Sequence, residues 1–144
     1  MRLALLAPLA LLALVGGCAS ESAPAATPRP SPTTAALQAC ERLTDGAVWR
    51  GWVRAGPGTT TIDGSDDFFT PTCILAPSNK PLSIAVTNRG HIPHTVTIRA
   101  TGTDMSLDAG QTAFVSLPVG TTPLRVVCTF HTEEHMVAVI VPDT

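Results

Sequence analysis

Along the second half of the chain, apolar and polar positions alternate with a period of two. Leu82, Ile84 and Val86 form one run, Val96 and Ile98 another, Val115, Leu117 and Val119 a third, and Leu124 and Val126 a fourth. A period of two places each set on one face of a pleated strand. Between the runs stand Asn88-Arg89-Gly90, Asp108-Ala109-Gly110 and Val119-Gly120-Thr121, all turn-favouring. No segment carries a long helical period with start and stop signals. The pattern predicts an all-β sandwich or small barrel, with its core at about residues 68–144. Residues 37–67 are less regular. Val48 to Val53, with Trp49 and Trp52, read either as an edge strand or within a short helix from about Leu37, and Asp63 to Asp67 as a loop.

The N-terminus has a different pattern. Arg2 is followed by an apolar run, Leu3 to Leu14, shorter than the roughly 20 residues a membrane span needs. The run ends in Leu14-Val15-Gly16-Gly17-Cys18, which resembles a bacterial lipobox. Residues 1–17 are then a signal peptide and Cys18 the lipidated first residue; the alternative is an ordinary leader cut after Ala19, with Cys18 lost. Residues 19–36 are Ala, Pro, Ser and Thr with almost no large apolar side chain, too little to offset ordering entropy. They read as a disordered linker able to hold a domain, residues 37–144, up to about 50 Å from a bilayer. The expected location is the extracytoplasmic face of a bacterial membrane.

Charge narrows the possible partners. The net charge is −2, about −3 once Arg2 is removed, with no basic patch of the kind nucleic acid requires. Export also sets an oxidising compartment. Cys40 and Cys73 are simplest as a disulfide tying the N-terminal segment to the first sandwich strand, because Ile74 facing the core turns Cys73 the other way. Two reduced thiols are the alternative.

The chemistry lies in two short segments. All four histidines fall within Asn88-Arg89-Gly90-His91-Ile92-Pro93-His94-Thr95 and Cys128-Thr129-Phe130-His131-Thr132-Glu133-Glu134-His135-Met136. Cys-x2-His-x4-Met after a strand gives one loop three different ligand types. His94 is in phase with Val96 and Ile98, and Cys128 with Leu124 and Val126, so both side chains point into the sandwich. Two imidazoles, a thiolate and a weak thioether are the donor set of blue-copper sites. Zinc is the rival, through His91-x2-His94 and Cys128-x2-His131, leaving Met136 unused. His91 and His135 are otherwise exposed loop residues or secondary metal ligands.

Residues from about Phe69 onward resemble the cupredoxins, with the Cys128 loop spaced as in plastocyanins and pseudoazurins and the Asn-Arg-x-x-x-Pro-His loop more like amicyanins. Leu107-Asp108-Ala109-Gly110-Gln111-Thr112 resembles the turn and strand that precede the copper loop. The resemblance implies a Greek-key β-sandwich with one type 1 copper ion held by His94, Cys128, His131 and Met136. Three positions depart from the family: Thr95 stands where Asn commonly braces the two loops, His135 where Gly commonly precedes the methionine, and Val126 where an aromatic is common. Phe130, in place of proline, has a backbone N–H to offer the Cys128 sulfur.

The expected function is electron transfer, with no enzymatic turnover and no small-molecule substrate. The redox partner would be a cytochrome or oxidase, steered by Glu133 and Glu134 where that partner is basic. A copper-handling lipoprotein without a redox partner is the second reading. An oxidase is the third, and the sequence offers no second full ligand set for it.

Overall fold

The structure is a computed structural model that describes residues 31–143; the leader, Cys18 and the linker up to residue 30 lie outside the described residues. Two sheets make a sandwich. One has six strands in the order β1 (Trp52–Arg54), β4 (Cys73–Pro77), β10 (Val137–Asp143), β9 (Leu124–Val127), β6 (His94–Ile98) and β7 (Thr103–Leu107). The other has four, ordered β3 (Phe69–Thr70), β2 (Thr59–Gly64), β5 (Lys80–Asn88) and β8 (Thr112–Val119).

The period-two runs become the facing layers. In β8, Ala113, Val115, Leu117 and Val119 are buried while Thr112, Phe114, Ser116 and Pro118 face out. They meet Val96, Ile98, Val126 and Ile140 of the opposite sheet in one apolar core. Fully burying each such side chain contributes about 1.5–3 kcal/mol.

At its centre the six-stranded sheet is covered on both faces. β4 runs parallel to β1 and to β10, and both β4 and β10 are nearly continuous apolar runs, as strands buried on two sides must be. Their outer side chains Cys73, Leu75, Val137, Val139 and Val141 pack under a helix, α1 (Thr34–Leu43). Thr33 Oγ1 accepts from Ala36 N–H at 3.2 Å and caps the helix. Ala36 and Cys40, one turn apart, are its buried stripe. Cys40 and Cys73 are disulfide-bonded, and each is wholly buried.

The structure therefore resolves residues 37–67 differently from the sequence pattern. The helix and the edge strand are both present, and the helix begins at Thr34, inside the stretch expected to be linker. Asp63 and Gly64 are not loop but the end of β2, paired with Thr70 and Phe69. β2 escaped notice because its inward positions are Thr60, Ile62 and Gly64, only one of them large and apolar.

The disulfide bridges a sequence separation of 33 residues. Replacing both cysteines (Cys40→Ala with Cys73→Ala) should cost about 2–4 kcal/mol in urea unfolding. An unchanged midpoint would show that α1 docks without the clip.

Candidate metal centre

One pole of the sandwich gathers three strand ends. β6 begins at His94, β9 stops before Cys128, and β10 starts after Met136. Strand phase then aims the side chains, with His94 following the inward Val96 and Ile98, and Cys128 the inward Val126. His94 and Cys128 are buried and His131 is partly exposed.

Among the described residues these three form the one group of His, Cys and acidic side chains placed to hold a metal ion. The two Nδ1 atoms are 3.2 Å apart, and Cys128 Sγ lies 3.7 Å from His94 Nδ1 and 3.2 Å from His131 Nδ1. Nitrogen and sulfur atoms bonded to one ion at about 2.0–2.3 Å lie roughly 3.3–3.8 Å from one another. The donor set therefore fits a single ion. His94 Nε2 is buried without a hydrogen-bond partner, so the ring forgoes a contact there while Nδ1 points at the cluster. Burial, and secondarily the nearby His131, lowers the pKa of His94, while Asp66 and Asp67 oppose the shift. A neutral imidazole is the form that ligates metal.

Met136 is buried at the same pole; a Cβ added at Gly64 of β2 would lie 3.5 Å from its Cε. Nested backbone hydrogen bonds close its loop: Cys128 N–H donates to Met136 O, Met136 N–H to His131 O, His131 N–H to Cys128 O and His135 N–H to Thr132 O.

Thr95 joins the two loops. Its N–H donates to Cys128 Sγ at 3.3 Å, while its Oγ1 accepts from Thr129 N–H at 2.7 Å and meets Thr129 Oγ1 at 3.0 Å. The hydrogen bond expected from Phe130 N–H is not found among the described residues; the register of β6 brings Thr95 alongside the sulfur instead, and the Phe130 ring is exposed.

His91 and His135 stand outside the cluster. His91 is exposed and turned to Asp66, whose Oδ1 accepts its N–H at 2.6 Å and whose pKa those bonds lower. The tetrahedral zinc set is therefore not assembled. His135 has φ +53°, the left-handed conformation glycine favours. That accounts for the glycine common at this position in the resembling family. Its ring lies over Gly46, where an added Cβ would be 3.1 Å from its Cγ and Cδ2.

Three contributors were not singled out from the sequence. Asn88, wholly buried, donates to Ile92 O and Leu107 O and accepts from Gly90 N–H, which shapes the first-histidine loop. A Cβ added at Gly90 would lie 2.3 Å from Asp66 Oδ1 and 3.0 Å from the Asp66 backbone nitrogen, so a side chain there would displace Asp66. Gly46 is the third. The signal for Asn88 was its place at the head of an Asn-Arg-Gly turn; Gly46 and Asp66 carry no local signal.

No protein-family model and no curated protein matches the chain. Solved structures do. An auracyanin from the photosynthetic bacterium Roseiflexus castenholzii aligns at 11% identity and TM-score 0.53, over 62% of this chain and 99% of that one. Auracyanin B aligns at 15% and 0.51, over 64% and 94%. The metal-binding domain of the Streptococcus pneumoniae Cu(I)-exporting P-type ATPase, solved with Cu(I), aligns at 10% and 0.55, over 67% and 100%. At such identities the likeness establishes the fold.

Gly46→Ala should destabilise the domain by about 1–2 kcal/mol, since φ there is +80° and the new methyl meets the His135 ring. Gly120→Ala, with nothing within 4 Å of the added carbon, is the control. Equal thermal midpoints would refute the clamp.

Proposed function

We propose, from the cupredoxin fold that the chain shares with these structures, that it is a mononuclear copper protein carrying single electrons outside the cytoplasmic membrane. The observation that carries this reading is the convergence of His94 Nδ1, His131 Nδ1 and Cys128 Sγ within 3.2–3.7 Å at a buried pole. These three would hold the ion, with the Met136 thioether, buried at the same pole, as a further weak donor. Copper bound there would supply a one-electron couple.

The chain's own residues do the rest. His94 offers a neutral nitrogen because burial disfavours its protonation. The Thr95 N–H withdraws electron density from the sulfur, which raises the reduction potential. The backbone bonds from Cys128 to Met136 and the Thr95–Thr129 contacts restrain the loops, so little rearrangement opposes gain or loss of an electron. His131, the partly exposed ligand, is the exit for the electron. Ile92 and Phe130 put exposed apolar surface on the two metal loops, one on each, for a partner to cover. Glu133 and Glu134, exposed on the same loop, would steer a basic cytochrome or oxidase, an effect that salt weakens.

The Cys40–Cys73 disulfide supports an exported protein. Among the described residues no helix is long and apolar enough to cross a membrane. The proposal also includes a lipid anchor on Cys18, supported by the Leu14-Val15-Gly16-Gly17-Cys18 sequence. Copper handling is the second reading, supported by the likeness to the Cu(I)-bound exporter domain. Here capture and release of the ion would replace electron exchange, with His91 and His135 as outer ligands.

Copper-loaded protein should show an intense visible absorption that bleaches on reduction and is lost in Cys128→Ser. A colourless protein holding zinc tightly would overturn the assignment. Electron exchange with a soluble cytochrome that falls at high salt supports the first reading; rapid copper loss to a chelator with negligible exchange supports the second. Cys18→Ala should release the protein from membranes, and unchanged fractionation would refute the anchor.

A further inference from the structure

Beside the metal pole, the outer face of the six-stranded sheet has a cleft of about 530 Å³. One end is His131 and Met136, the floor includes Val127 and Val137, and the other end is Arg99 and Arg125. Both arginines line this cleft. Thr97 of β6 pairs with Val127 of the antiparallel β9; Arg125 stands two residues before Val127 in β9, and Arg99 follows the end of β6 as the first residue of a short 3-10 turn (Arg99–Thr101). Both side chains are exposed, and neither joins an ion pair among the described residues. Arg54, Arg89 and Arg50 differ: the first two face Asp143 and Asp63, and the third lies over the Phe68 ring.

Two unpaired guanidiniums lining one cleft can close on an oxyanion, because each can give parallel N–H donors to a carboxylate. The attraction is local, since the chain as a whole is net negative. The floor running toward the metal pole is apolar, and Glu133 and Glu134 follow Thr132, another lining residue at the His131 end. Negative charge is therefore favoured at one end and disfavoured at the other.

We propose that Arg99 and Arg125 bind the acid group of a small organic carboxylate whose apolar body lies on Val127 and Val137 and ends beside His131. The site belongs to the folded domain and does not depend on which metal the pole holds. An anion there would favour the more positive state of a redox ion and lower its reduction potential, which links occupancy of the cleft to the electron.

The test uses the full chain, metal-free and copper-loaded, with benzoate as probe, its neutral isostere benzamide, and inorganic phosphate as an oxyanion without an apolar body. Benzoate should raise the thermal midpoint and shift the NMR signals of Arg99, Arg125, Val127 and Val137 saturably. Benzamide and phosphate should each bind at least about tenfold more weakly, the loss expected for one missing charged hydrogen-bonded pair or one unburied ring. Arg99→Gln and Arg125→Gln should each weaken benzoate by a similar factor. Both variants should melt close to the parent in anion-free buffer, because both side chains are exposed and neither joins an ion pair among the described residues; that also shows they fold. In copper-loaded protein, benzoate should lower the potential, and not in Arg125→Gln. Absence of saturable shifts with benzoate far above a Kd of about 1 mM would overturn the site. So would affinity for benzamide equal to that for benzoate, or benzoate binding undiminished in both variants. Benzoate and phosphate binding alike would overturn the organic ligand class.

Discussion

The contact on which the metal pole depends is the one between Thr95 and the Cys128–Thr129 segment. His94 and Cys128 come from different strands, separated by 34 residues, and strand phase alone does no more than turn both inward. The backbone N–H of Thr95 reaches the sulfur, and its hydroxyl takes the next N–H of the cysteine loop. Three polar donor atoms at the end of an apolar core repel water poorly and one another strongly unless their neighbours hold them. Thr95 does this with a single residue, because a strand residue that follows an inward histidine necessarily points to the opposite face, where Thr129 lies.

A second layer holds the loop from outside. β10 leaves the metal loop and is buried on both faces, inward on the main core and outward under α1. The helix is joined covalently to β4, the parallel neighbour of β10. Its continuation places Gly46 under the His135 ring, one residue before Met136. The conformational cost of a left-handed histidine is thus met by a contact from a distant part of the chain. The N-terminal segment is part of the site's support, though it supplies none of the converging donors.

The two imidazoles are unlike in environment. His94 is buried and held neutral by that burial, while His131 keeps an edge in solvent beside the cleft that ends at Arg99 and Arg125. One ring belongs to the core and the other to the surface. The pole is accordingly insulated on one side and accessible on the other.

Much of this was legible in the chain. Alternation in Leu82–Val86, Val96–Ile98, Val115–Val119 and Leu124–Val126 specified strands and their inward faces, because a period of two leaves no other way to bury those side chains. The same phase pointed His94 and Cys128 inward and Cys73 outward. Spacing within Cys128–Met136 marked a ligand loop, since those separations are short enough for one loop to present all three. Local pattern did not reveal β2, whose inward residues are a threonine, one isoleucine and a glycine, and it offered the helix only from about Leu37 and as an alternative to the edge strand, because the buried stripe of Thr34–Leu43 is only Ala36 and Cys40. Those elements exist because larger surfaces elsewhere need covering. The tertiary structure also decided which N–H meets the sulfur, which glycine carries the His135 ring, and that Arg99 and Arg125 line one cleft. Each of these is a relation between strands or loops far apart in sequence, set by register and packing, which no single stretch of residues encodes.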